Sequence, residues 1–353
     1  MAFKRFAVLL LAVLLLTGPL AYTVRADTQE EHFVLTFVGD CTLGSMPGWF
    51  GRRGSFVGTV GTNYDHPFQL VKSYFQDDEF TMLNLEGVLA NSGKANNKRF
   101  VFRGPNAYVN ILTDSSVEGV TLANNHSMDF GRQGYNNTIR VLNDAGIAYA
   151  QKDKTKLITT KNGLKLGIYA DEKDFSTEEI TKNVQALKQA GAEVIICAFH
   201  WGKEGAYRPN TEQKKYANDA LEAGAHIVYG HHPHVLQKIE KQENGVIYYS
   251  LGNFSFGGNP NPRDKDSAII RQEIIRGADG SIRLGQTETI PVRITSAKGR
   301  NNYQPIPYEA GTEGYLRTLS KLDGTYTGRD LPVYYAKPQR LGEKPGASLP
   351  QWD

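Results

Sequence analysis

The chain has 353 residues, 40% hydrophobic and 22% charged, with 40 Lys and Arg against 37 Asp and Glu and two cysteines. These proportions suit a globular fold with an ordinary core, and they exclude a disordered polyelectrolyte and a disulfide-dense scaffold. Lys4, Arg5 and Arg25 fall in the first 26 residues and no acidic residue does, so the remainder balances at 37 basic to 37 acidic groups and composition gives no case for nucleic-acid binding.

Lys4-Arg5, an apolar run over 6–16, the breaker Gly18-Pro19 and the small residues around Arg25 read as a secretory signal peptide over 1–26. Export to the extracellular space or cell envelope follows, with membrane anchoring if the segment stays uncleaved. Residues 33–38 predict a first core strand that stops at Gly39-Asp40. A glycine-rich loop over 45–66 follows, of the kind that covers a site. Residues 68–75 predict a helix, and 80–85 a buried strand ending at Glu86-Gly87. The next stretch, 91–105, carries Lys94, Lys98, Arg99 and Arg103, an ordinary solvated surface or one that meets an anionic substrate.

Residues 117–123 predict a strand ending in Asn124-Asn125-His126, with Asp129 and Gly131 beyond. A helix over 135–145 closes at Gly146, a strand covers 164–170, and a helix over 177–190 opens on a Ser176 cap. The strand at 193–199 leads into His200-Trp201-Gly202, with Glu204 and Arg208 in the loop before a helix at 211–223. A strand at 225–229 enters Gly230-His231-His232-Pro233-His234, and one at 246–249 enters Ser250-Leu251-Gly252-Asn253-Phe254. Exposed strands at 268–275 and 281–294 meet at Asp279-Gly280. The domain boundaries are therefore 1–26 for the signal, 27–300 for the folded domain and 301–353 for a peripheral Pro-, Gly- and Tyr-rich extension.

Strands that alternate with helices and end in polar residues indicate an α/β fold with its chemistry at the carboxyl edge. Alone, Asp40 or Glu86 would read as a turn or cap residue, and Asn125 with His126 as a hydrogen-bonded loop pair. Together with His200, His232 and His234 they form a mixed oxygen and nitrogen donor set that suits divalent metal, with Mn, Fe and Zn equally served. Asp129, Glu204 and Asn253 are candidates for orienting the ligands. Arg103 and Arg208 are candidates for gripping substrate. His231 is expected to face away, and Cys41 and Cys197 are expected as buried free thiols, a single bridge being the alternative.

The ordered motifs Val38-Gly39-Asp40, Asn84-Leu85-Glu86-Gly87, Asn124-Asn125-His126 with Asp129, His200-Trp201-Gly202 with Glu204, Gly230 to Val235 and Ser250 to Phe254 resemble the calcineurin-like metallophosphoesterase superfamily. Within it the chain is similar to the bacterial capsule-synthesis CapA family, of the PgsA type, associated with poly-γ-glutamate. The resemblance implies a two-sheet β-sandwich core flanked by helices in four αββα layers. It implies one or two metal ions, Asp40 and His234 on one, Asn125, His200 and His232 on the other, and Glu86 between them. His126 would protonate the leaving oxygen of a phosphoester. It further implies an anionic polymer or phosphoester substrate and other capsule-synthesis membrane proteins as partners. The alternative role is an accessory that binds the polyanion without cleaving it. The superfamily's first motif has a histidine where this chain has Thr42, and its bridging aspartate is replaced by Glu86, which predicts a weak ion at Asp40.

Overall fold

The computed structural model describes residues 30–173 and 175–332. The expected signal segment lies outside them. Among the described residues no helix is long and apolar enough to cross a membrane.

In chain order the strands are β1 (Glu31–Thr42), β2 (Phe80–Leu85), β3 (Val88–Leu89), β4 (Arg103–Gly104), β5 (Gly119–Thr121), β6 (Ala148–Ala150), β7 (Lys154–Thr159), β8 (Lys165–Glu172), β9 (Val194–His200), β10 (Ile227–His231), β11 (Ile239–Gln242), β12 (Gly245–Tyr248), β13 (Asn253–Phe256), β14 (Asp266–Arg276), β15 (Ile282–Arg293) and β16 (Ile306–Pro307). The first sheet runs β16-β15-β14-β1-β2-β5-β6, with β13 parallel to the end of β1, and the second runs β11-β12-β10-β9-β8-β7.

Three apolar layers hold four structural ones together. Phe33, Leu35, Phe37, Phe80 and Met82 of the first sheet pack against Leu166, Ile168, Ile196, Tyr229 and Tyr248 of the second. The outer face of the first sheet carries Leu83, Leu85 and Val120 against Phe56, Phe68, Leu112, Val141 and Leu142. The outer face of the second carries Ile195, Phe199 and Val228 against Ile180, Val184, Leu187, Ala217 and Leu221 of two helices. The fold is thus α/β with the expected αββα order.

Local sequence explains the helices flanking the second sheet. The helix Thr177–Gln189 opens on a reciprocal capping box between Ser176 and Glu179, and Thr211–Ala223 opens on one between Asn210 and Gln213. Each presents a helical stripe of buried residues to the sheet.

Several boundaries differ from the sequence reading. The helix expected at 68–75 is a run of turns with one helical segment, Ser73–Gln76. β10 continues to His231, two residues beyond its expected end. β14, expected to be exposed, is buried along most of its length because β1 and β15 pair with both its edges and its inner face packs against the second sheet. Residues 301–332, expected to be peripheral, add β16 to the first sheet and the helix Glu313–Leu322 beside β14 and β15. The pattern there is too short and too rich in turn residues to display a period.

Cys41 and Cys197 are both free and buried, in different apolar layers.

Candidate metal centre

The parallel strands of both sheets release their last residues at one edge, and the site is built there. β1 carries a bulge between Phe37 and Asp40 relative to β2. Val38 and Cys41 both join the outer apolar layer, so the bulge turns Asp40 toward the opposite sheet. Gly39 makes this approach feasible, since a Cβ there would sit 2.1 Å from the Gly252 carbonyl oxygen. The Asp40 N–H donates to that same carbonyl at 2.8 Å. Gly230 is equally constrained, with its would-be Cβ 2.2 Å from the Tyr249 carbonyl.

Asp40 is buried, and its carboxylate takes four donors. Oδ1 accepts from Asn84 Nδ2 at 2.8 Å and His231 Nδ1 at 2.9 Å; Oδ2 lies 3.1 Å from His234 Nδ1 and 3.3 Å from the His232 N–H. Burial alone would raise its pKa, but these imidazole contacts hold the carboxyl well below the usual range.

Glu86 is the opposite case. It is fully buried, and neither carboxylate oxygen has a hydrogen-bond partner. Its Oε1 lies 3.9 Å from His126 Nε2, from His200 Nε2 and from His234 Nε2. Burial, reinforced by the neighbouring Asp40 charge, pushes its pKa to about 8 even though His234 pulls it down. An orphaned buried carboxylate costs several kcal/mol, roughly, unless a cation completes it. Donors to one ion at about 2.0–2.2 Å each can stand no more than about 4.4 Å apart, and 3.9 Å meets that limit.

Two of the imidazoles, His200 and His232, are in the state that ligation needs. Burial drives His200 well below its ordinary pKa and, with His234 adding to it, drives His232 to about 3, so both rings are neutral and keep a lone pair. Their rings are 4.7 Å apart, and Nδ1 of each is buried with no partner. His200 Nε2 lies 2.9 Å from Asn125 Oδ1. His234 shares its Nδ1 between Asn253 Oδ1 at 3.0 Å and Asp40. Burial would lower the His234 pKa, but the Glu86 and Asp40 carboxylates outweigh it and raise it to about 10. His232 and His234 adopt φ of 95° and 57°, a left-handed backbone that non-glycine residues take only where surroundings impose it.

Two donor groups stand within 4.8 Å internally: Asp40, Glu86 and His234, and Glu204, His232 and His234. The structure therefore brings together Asp40, Glu86, Asn125, His200, His232 and His234, with Glu204 beside them. The carboxylate, amide and imidazole donors suit a divalent ion.

His126 flanks this cluster. Its Nδ1 lies 2.7 Å from Asp129 Oδ2 and its ring packs 4.5 Å from Phe102. Asp129 also accepts from the Phe102 N–H at 2.7 Å and from Lys98 Nζ at 2.6 Å. Lys98 reaches the Asn125 carbonyl as well. The sequence reading placed Lys98 in a basic run and missed that it braces the loop of Asn125 to Asp129.

His231 is the other correction. It is buried and bonded to Asp40 because β10 continues through it and aims its side chain at the first sheet. Arg208 is engaged elsewhere, reaching the Tyr326 and Gly328 carbonyls and Asp330. The Arg103 guanidinium lies between the Phe50 and Phe130 rings, 5.1 Å from each. Thr42 is buried and its hydroxyl has no partner.

Comparison with known proteins places these residues in context. The chain is 26% identical over 328 residues to the capsule biosynthesis protein CapA of Bacillus anthracis, covering 84% of this chain and 77% of that one. It is 29% identical over 304 residues to the PGA biosynthesis protein CapA of Bacillus subtilis, covering 78% and 76%. Among solved structures, the NAD nucleotidase of Haemophilus influenzae overlaps 84% of this chain and 63% of its own at 13% identity and a TM-score of 0.42. Residues 34–258, which contain every donor described above, match the family of the bacterial capsule synthesis protein PGA_cap, and the chain belongs to that family.

Proposed function

We propose that this protein is an exported, divalent-metal-dependent hydrolase of the phosphoesterase type that serves the synthesis or export of capsular poly-γ-glutamate. The names of its relatives support the polymer; the edge donors support the metal. The observation that carries the reading is Glu86, whose two oxygens are buried without partners among imidazole nitrogens.

Asp40 and His234 would hold one ion and Asn125, His200 and His232 another, with Glu86 between them and Glu204 beside His232. When bound, Mn, Fe or Zn supplies Lewis-acid stabilisation of charge developing on a phosphoryl oxygen. The chain's own contributions are positional. Asp129 fixes the His126 ring through Nδ1, which leaves Nε2 directed at the cluster as the group that hands a proton to the leaving oxygen. Asn253 and Asp40 orient His234 in the same manner. Other capsule-synthesis proteins of the membrane are its natural partners.

A second reading, binding of the polyanion without cleavage, is favoured by Asp40, whose carboxylate already takes four donors from the protein. Metal content and hydrolysis of aryl phosphate mono- and diesters by the full chain decide between them. The hydrolase reading expects bound divalent metal and turnover that His126→Ala lowers by about 10²–10⁴-fold. Bound metal without turnover with any of Mn, Fe or Zn supports the binding role, and absence of metal overturns the hydrolase reading.

A further inference from the structure

A cavity of about 320 Å³ lies where β14, β15 and the helix Glu313–Leu322 meet the loop after His200. Five basic side chains line it, Arg263, Lys265, Arg293, Arg317 and Lys321, against one carboxylate, Asp264. A second carboxylate, Asp266, is bonded to three of the lining side chains and is fully committed. Asp266 accepts from Arg317 Nε at 2.7 Å and its terminal nitrogen at 2.8 Å, from Lys321 Nζ at 2.7 Å and from the Tyr308 hydroxyl at 2.7 Å. Asp264 accepts from Lys321 Nζ at 2.7 Å and the Tyr207 hydroxyl at 2.8 Å.

Arg317 and Lys321 are paired with these two acids, and Arg317 with Glu313 as well. The cavity already shows how it grips carboxylates, by pairing cations with tyrosine hydroxyls. Lys265 and Arg293 donate to backbone carbonyls, those of Pro262 and Ser296. Half-buried cations whose hydrogen bonds go to neutral carbonyls are groups that an incoming anion stabilises.

The cavity also adjoins the metal centre through one short loop. Tyr207 is three residues after Glu204, and between them the Gly205 N–H donates to the Pro233 carbonyl, inside the His232 to His234 turn. From the other side, Asp266 lies against Gly252, whose carbonyl receives the Asp40 N–H. A ligand seated in the cavity therefore borders the loop that carries the metal donors.

We propose that this cavity is a carboxylate-binding subsite for an acidic polyamide chain, taking the free α-carboxylate of one γ-linked glutamyl unit on Lys265 and Arg293. This deepens the polymer assignment of the proposed function and is independent of catalysis. The volume admits one such unit and not a folded domain, and repeated carboxylates match cations spread over several elements.

The test is binding of poly-γ-glutamate oligomers to the full chain by calorimetry, with and without chelator. Lys265→Ala with Arg293→Gln, which leaves the Asp264 and Asp266 pairs intact, should weaken binding about tenfold or more while metal content stays at the wild-type level. Binding should survive the chelator and weaken with salt. Unchanged affinity in the double variant, no binding by the wild type, or complete loss of binding on chelation would each overturn the subsite. Competition by inorganic phosphate at the oligomer's own affinity would overturn it in favour of a phosphate site. Failure of the metal reading is seen separately, as absence of metal from a protein that still binds the oligomer.

Discussion

His231 Nδ1 lies 2.9 Å from Asp40 Oδ1, a contact between the last residue of β10 in one sheet and the bulged end of β1 in the other. Asp40 is thus oriented by an imidazole from across the sandwich as well as by Asn84 from its neighbouring strand. Removing such an orienting partner typically lowers metal affinity about 10–100-fold. His231→Ala should show that loss when the chelated protein is titrated with Mn or Zn. Wild-type affinity in this variant would leave orientation of Asp40 to Asn84.

Glu86→Gln isolates the unpartnered carboxylate. Wild-type protein should melt at a higher temperature when divalent metal is added, by about 2.7 kcal/mol at a hundredfold excess over Kd. The glutamine variant, which lacks the charge among the imidazoles, should show no metal-dependent shift in a thermal melt. A shift equal to that of the wild type would remove Glu86 from the centre.

His126 and Asp129 test the proton path. His126→Ala should lower hydrolysis by about 10²–10⁴-fold with metal content retained. Asp129→Asn, which keeps the Lys98 side of the loop but loses the charged partner of His126 Nδ1, should fall between the two. Metal analysis alongside steady-state rates distinguishes this from loss of the ions.

Far from the centre, Glu118 receives the Thr81 N–H at 2.8 Å, and burial, with Asp78 nearby, raises its pKa from the ordinary 4.5 to about 7. The folded state therefore binds more protons than the unfolded one between these values, so its stability falls as pH rises through that window. Glu118→Gln, which retains an acceptor for Thr81, should match the wild type near pH 4 and exceed it at pH 8. The gain should be about 1–2 kcal/mol after solvent screening, read from urea unfolding at the two pH values.

The polar ends of apolar strands were the legible part of this site, because a buried strand leaves few reasons for Asp40, Glu86 or His200 to sit where it stops. What escaped reading depends on where strands end in space. β10 extends two residues past its apolar run, so His231 looked like a turn residue although it faces the first sheet. Lys98 looked like surface charge because its partners, the Asn125 carbonyl and Asp129, lie about thirty residues away in a different motif. The segment 301–332 has no long period, yet Tyr303 is fully buried and Lys321 is nearly so, held by two aspartates at the start of β14. Such tertiary pairings leave no local signature.

Because donors come from both sheets, the full donor set exists only where the two halves of the sandwich meet. Asp40 and Glu86 leave the first sheet, His200 and His232 leave the second, and Asn253 arrives later still to orient His234. Metal uptake by the full set would then report on long-range assembly, because its donors come from distant segments of the chain.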